Sequence, residues 1–275
     1  MSKLAPTSSD VSEGEIPTRP SKTIRHPRVL QRQGRVISHR RLTHDTWEIL
    51  VREVGEAAPI RGEAGQFATL KVAQINQPRA YSFARDPALE TDGEHTFYIR
   101  EVPNGEMSAW LQESRVDELL EISGPLGHFM LDENLKTMLL VAGGSGLSAI
   151  KSLAEAAARQ QLRRDCIVLY GARTAEDLHS LDTFKRLKDT WHPDYHFEFT
   201  TVLSHEPDNT RWSGERGMIG EYMTEKYIKN GKHDADNFSV WLCGPPPMIE
   251  ACTVSLIENG ISKRDIYQDA FEDRR

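Results

Sequence analysis

The sequence predicts two units in series: an antiparallel barrel of six short strands, then an α/β unit built on a parallel sheet. Three observations carry this. Between residues 33 and 134, short runs rich in β-branched and aromatic residues recur at near-regular spacing, broken by Gly, Pro, Asp and Asn. From residue 136 the texture changes to apolar runs that alternate with helical stretches. A length of 275 residues is also enough for two hydrophobic cores.

Taken in order, residues 1–29 hold four prolines, many Ser and Thr, and few apolar side chains. Such a segment buries too little surface to offset its ordering entropy, so it reads as an unstructured tail. The first unit spans residues 30–135. Its expected strands are GRVISHRRL, TWEILVREV, GQFATLKVA, RAYSFA, HTFYIREV and LLEISGP. One helix interrupts them, GEMSAWLQESR, with Met107, Trp110 and Leu111 at helical spacing. The second unit spans residues 136–275. TMLLVA, DCIVLYGA, YHFEFTTVL, FSVWLCG and DIYQDAF are its expected strands, with helices between them.

Composition excludes several classes. Hydrophobic residues make up 38% and charged residues 27%, and the net charge is −7. An acidic chain is a poor partner for nucleic acid, whose phosphates need a positive face. The three cysteines, Cys166, Cys243 and Cys252, form no metal or iron–sulfur spacing, and no His pattern suggests a metal site. No apolar run approaches the roughly 20 residues of a membrane span. No secretory h-region is present. A cytoplasmic protein without membrane insertion is expected.

Three motifs carry chemistry. VAGGSGLSA follows a buried strand and opens a helix, so Gly144, Gly146 and Ala149 match G-x-G-x-x-G/A in the required context. Such a turn lets backbone N–H groups approach a pyrophosphate. The acidic residue expected about 20 positions on is missing, and YGAR stands there, with Gly171 and Arg173. WLCGPPPM puts Cys243 and Gly244 at the C-terminal end of another buried strand, where open α/β sheets bind ligands. Taken alone, a buried structural cysteine before a stiff turn explains it better. RAYS offers Arg79 for a phosphate, the Tyr81 face for stacking, and the Ser82 hydroxyl for a ring nitrogen. Those groups suit a flavin nucleotide; a barrel strand with an exposed arginine fits the four residues as well. PNGEMS, residues 103–108, then opens a helix whose free N–H groups suit phosphates.

In chain order, GQF, RAYS, VPNGEMS, GPLGHF, AGGSGLSA, YGAR, CGPPPM and DAF together resemble the ferredoxin–NADP reductase superfamily. The likeness is nearest to the NADH-dependent reductase components of bacterial multicomponent oxygenases acting on aromatics and hydrocarbons. It covers residue 35 to the C-terminus. The resemblance implies a six-stranded flavin-binding barrel followed by a parallel-sheet nucleotide-binding unit. It implies Arg79, Ala80, Tyr81 and Ser82 along the flavin, with Ser82 near N5. Gly105, Met107 and Ser108 would complete the phosphate site. Gly143, Gly144, Gly146 and Leu147 would form the nicotinamide-nucleotide loop, with Arg173, Ser204, Pro245 and Met248 around it. Cys243 and Gly244 would sit beside the nicotinamide, and Phe271 over the flavin until the nucleotide displaces it.

The resemblance also implies FAD in preference to FMN. NADH is favoured over NADPH, because Ser204 is followed by His205 where NADPH-dependent relatives often carry Arg; Arg211 keeps NADPH open. Oxygenase reductases often hold a plant-type [2Fe–2S] domain, whose C-x4-C-x2-C run is missing here. The cysteine cluster of the related dihydroorotate dehydrogenase electron-transfer subunit is missing too. The expected electron acceptor is therefore a separate [2Fe–2S] ferredoxin or oxygenase component. The alternatives are a reductase of free flavin, haem or quinone, and a non-catalytic flavin- or nucleotide-sensing subunit.

Overall fold

Period-two alternation builds the first sheet. In the computed structural model, which describes residues 28–113, 115–229 and 234–271, β1 (Leu30–Arg41) pairs antiparallel with β2 (Thr46–Val54), Gln33 facing Val54 and Arg41 facing Trp47. Of the expected tail, only Arg28 and Val29 lie within the described residues. β3 (Phe67–Lys71), β4 (Arg79–Ser82), β5 (Glu94–Arg100) and β6 (Leu119–Leu126) complete a sheet of order β4-β3-β6-β1-β2-β5. A bridge between Phe83 and Phe97 joins the two edges, so the sheet nearly closes into the expected barrel. Closure removes the exposed edges that an open sheet would leave unpaired. Inside it pack Val36, Ile49, Val51, Phe83, Phe97 and Ile122, each 0–1% exposed.

The barrel helix is shorter than its spacing suggests. α1 covers only Glu106–Trp110. Arg115 accounts for the stop: its Nε donates to the Trp110 carbonyl at 2.5 Å and its guanidinium lies over the Trp110 ring. A side chain takes the orphan carbonyl that a continuing helix would have used.

The second unit alternates β7 (Thr137–Gly143), α2 (Leu147–Arg159), β8 (Cys166–Ala172), α3 (Leu181–Thr190) and β9 (Phe197–Leu203). A two-residue strand β10 (Glu215–Arg216), α4 (Ile219–Met223), a π-helical turn (Thr224–Ile228), β11 (Phe238–Gly244), α5 (Pro246–Glu258) and β12 (Ile266–Ala270) follow. The strands are parallel, in the order β10-β9-β8-β7-β11-β12. Separate apolar clusters cover the two faces, one under α2 and α3, the other under α4 and α5. Burial on both sides explains why β7 and β11 read as continuous apolar runs. Chain direction through the sheet reverses between β7 and β11. Their C-terminal ends form the switch point at which such sheets bind ligands.

Candidate functional site

Two glycine turns meet at that switch point. β7 ends at Gly143 and passes through the turn Gly144–Gly146 into α2. β11 ends at Gly244, where φ is +151°, and Pro245 leads into α5. A Cβ added to Gly244 would lie 2.9 Å from the Gly143 carbonyl oxygen, so the two turns touch backbone to backbone. Gly146 is used the same way, packed against the Cys243 carbonyl. Gly144 differs. Its φ is +53°, and a Cβ there would meet nothing nearer than Arg100 Nη1 at 3.9 Å. That glycine faces open space, and its bare backbone suits a bulky anion.

The space is a cleft of about 190 Å³. Of the residues singled out in the sequence, it gathers Gly143, Gly144, Gly171, Arg173, Ser204, Pro245 and Met248. Leu147 does not reach it and is fully buried. The barrel supplies the opposite wall through Asp45, Thr46 and Arg100, which sequence reasoning missed. No motif marks them, because they sit at the end of one hairpin and the end of one strand. Arg100 Nε donates to Asp45 Oδ2 at 2.7 Å. Burial alone would raise the Asp45 carboxyl, but hydrogen bonds and charge from Arg100 outweigh it and hold the group below its ordinary range. His179 lines the same cleft, and burial pushes its imidazole down to about 4. His44, Asp45 and Asp177 bring ligand-type atoms within 4.8 Å of one another, but Asp45 is committed to Arg100.

β4 presents Arg79, Ala80, Tyr81 and Ser82 on the barrel. Arg79 Nη2 lies 3.4 Å from Glu106 Oε2, and Nη1 donates to the Gln77 carbonyl at 2.7 Å. Ala80 is exposed. The Tyr81 ring packs against the barrel core; burial pushes its phenol up, with Arg79 pulling the other way. Ser82 is 3% exposed, and its Oγ has no hydrogen-bond partner among the described residues. A buried hydroxyl without a partner costs free energy unless a ligand completes it. Nearby, Gly105 caps α1 in an extended conformation, and Ser108 Oγ accepts the Val102 N–H at 2.6 Å. Met107 is buried in the core, leaving only its backbone for a ligand.

Cys243 is fully buried, and burial together with the nearby Asp269 carboxylate pushes its thiol well up. Such a thiol is a poor nucleophile. Asp269 is its register partner on β12, and burial lifts that carboxyl to about 6. The Phe271 N–H donates to the Gly244 carbonyl at 2.9 Å, and its ring packs on the core that contains Cys243.

Comparison with known proteins agrees with both halves. The family signature "Oxidoreductase FAD-binding domain" matches residues 33–131, and "Oxidoreductase NAD-binding domain" matches residues 140–253. The chain is 31% identical over 260 residues to the ferredoxin–NAD(P)(+) reductase component of the naphthalene 1,2-dioxygenase system of Pseudomonas putida. That alignment covers 94% of this chain and 71% of the relative. This chain belongs to the ferredoxin–NADP reductase superfamily. The barrel is thus its FAD-binding unit and the α/β unit its NAD-binding unit. The xylene/toluene monooxygenase electron transfer component of the same organism is 35% identical, with 87% of this chain and 65% of the relative aligned. Among solved structures, the ferredoxin reductase in carbazole 1,9a-dioxygenase superposes with a TM-score of 0.74 at 28% identity, covering 89% of this chain and 70% of the other. The chain spans 65%, 58% and 57% of the lengths of the xylene/toluene, toluate and anthranilate relatives. Among the described residues, no helix is long and apolar enough to cross a membrane.

Proposed function

We propose that this superfamily member takes electrons from NADH through FAD and delivers them to an iron–sulfur centre of a ferredoxin or oxygenase component outside these residues, in the cytoplasm. One observation carries the reading. The glycine turn of the NAD-binding unit and the Arg100 strand of the FAD-binding unit wall a single cleft, one strand away from the unpartnered Ser82 hydroxyl. We take residues 30–135 and 136–275 as the two units.

The chemistry that FAD supplies when bound is the conversion of a two-electron hydride donor into two single-electron deliveries. The protein's part is binding and orientation. Arg79 meets the flavin pyrophosphate, helped by backbone N–H groups at Gly105, Met107 and Ser108. Tyr81 gives an aromatic face and Ala80 leaves room beside it. Ser82 Oγ gives a hydrogen bond to a ring nitrogen. Gly143 and Gly144 present backbone to the nicotinamide nucleotide, Gly146 lets the turn pack closely, and Leu147 anchors the turn from the core beneath it. Arg173, Ser204, Pro245 and Met248 shape the cleft, with Arg100 adding a cation from the barrel side. Cys243 and Gly244 border the nicotinamide position without covalent chemistry, and Phe271 excludes water there.

NADH is favoured over NADPH. Ser204 Oγ is spent on His205 Nδ1 at 2.7 Å, and Glu206 is anchored at the same edge by the Ala175 N–H at 2.8 Å. A fixed carboxylate opposes a second phosphate.

The test is an anaerobic visible spectrum of the purified, FAD-loaded protein before and after NADH, then NADPH. Rapid bleaching by NADH, slower by NADPH, is the expected result. A protein that takes up no FAD would sink the proposal. Bound flavin that neither nucleotide bleaches would point to a sensing subunit.

A further inference from the structure

Helix α2 carries two ionisable side chains one turn apart, Lys151 and Glu155, a spacing that ordinarily marks a solvent-facing pair. Here they are 5% and 8% exposed, because the barrel covers them. Lys151 Nζ donates to Glu155 Oε1 at 2.7 Å and to the Ala84 carbonyl at 2.9 Å. It also lies 5.9 Å from the centroid of the Tyr98 ring. Ser152 Oγ donates to the Arg85 carbonyl at 3.0 Å. Glu155 Oε2 accepts the Asp86 N–H at 3.0 Å. Side chains of one helix thus hold the main chain of three consecutive barrel residues.

The two ends of this strap are informative. α2 opens directly from the Gly144–Gly146 turn. Residues 84–86 follow β4 in the chain, two to four positions beyond Ser82. A buried ion pair is weak evidence of stabilisation, since well-packed apolar residues often serve as well. What a charged, main-chain-directed pair adds is fixed geometry. We propose that Lys151 and Glu155 are positioning residues: they fix the flavin-facing strand against the nucleotide turn at the separation hydride transfer needs. This rests on the reductase reading above. Misplacement by about 1 Å is enough to slow such a step roughly 100-fold.

The test uses the full chain loaded with FAD, as wild type, as the double variant Lys151→Met/Glu155→Met, and as Glu155→Gln. The double variant removes both charges and leaves neither unpaired. Two quantities are read: amide hydrogen exchange of residues 84–88, and the limiting rate of flavin reduction as NADH is raised. The double variant should keep its FAD and its fold, with a modest drop in melting temperature from the Ala84 carbonyl and Asp86 N–H that lose their partners. Exchange at Asp86 should rise at least about tenfold, and the limiting rate should fall about 10- to 100-fold with half-saturation by NADH little changed. Glu155→Gln, which keeps an acceptor for the Asp86 N–H, should recover most of the rate. Faster exchange with an unchanged limiting rate would overturn the proposal, as would unchanged exchange. Loss of FAD or of the fold would also overturn it, by making the strap a stability element. A wild-type protein that neither nucleotide reduces would remove the reductase reading itself, before any variant is compared.

Discussion

Gly146 and Cys243 are in backbone contact: a Cβ on Gly146 would fall well inside 3.0 Å of the Cys243 carbonyl and of the Gly244 nitrogen. Neither neighbour is a flexible side chain that could swing aside. Gly146→Ala must therefore push the start of α2 away from the end of β11. Overpacking of this kind costs about 1–3 kcal/mol. The melting temperature should drop, and nucleotide binding should weaken more than FAD binding, since both displaced elements border the cleft. Gly144→Ala is the contrasting variant. Its Cβ has room, and its cost comes from the +53° φ and from intrusion into the cleft. Calorimetry beside NADH titration separates the two: Gly146→Ala losing no stability would refute the packing argument.

Cys243 has the burial and raised thiol of a structural group, although it stands at the mouth of the strand. Iodoacetamide should leave it unmodified in the native protein and label it after denaturation. Cys243→Ala should keep FAD and slow reduction by NADH about tenfold or less, the effect of loosened packing behind the cleft rather than of a lost nucleophile. Rapid native labelling, or complete loss of turnover with intact FAD, would contradict that.

The two sheets were legible because their periodicities differ. Alternating runs between Gly and Pro breaks marked the barrel, and unbroken apolar runs marked strands buried on both faces. The Gly144–Gly146 turn was legible because strand, turn and helix fall in the one order that the motif requires. What joins the units was not. Lys151 and Glu155 look like a surface pair until the barrel covers them. Asp45 and Arg100 lie 55 positions apart and meet only through the β2–β5 pairing. Met107 was legible as a helix residue, but its burial under the barrel is a tertiary fact. Contacts between units leave no periodic trace, because each partner obeys the pattern of its own element.

Asp269 predicts a pH dependence. Burial lifts its carboxyl from 3.8 to about 6, so between roughly pH 4 and 6 the native state holds a proton that the unfolded chain has released. Stability from this group is therefore greatest below pH 4 and falls as pH rises through 6, by at most about 3 kcal/mol. Asp269→Asn should flatten that part of the stability curve and stabilise the apoprotein at pH 7. Denaturant melts of both proteins from pH 4 to 7.5 measure it. Parallel curves would mean that Asp269 titrates normally.

Arg79 and Glu106 predict opposite effects on flavin retention. The Arg79 guanidinium is shared between Glu106 and the Gln77 carbonyl. A pyrophosphate arriving at Arg79 must compete with that carboxylate and is repelled by it. Arg79→Ala removes a charge-assisted contact worth about 1.5–3 kcal/mol, so the FAD dissociation constant should rise about 10- to 100-fold. Glu106→Gln keeps an acceptor for the Asn76 side chain, which donates to Glu106 Oε1 at 2.7 Å, and removes only the negative charge. FAD should then bind a few-fold tighter, an effect that shrinks in high salt. Fluorescence titration of the apoprotein with FAD at two ionic strengths reads both variants. Arg79→Ala that holds FAD as wild type does would move the pyrophosphate away from β4, and Glu106→Gln that binds more weakly would make Glu106 a support for the site.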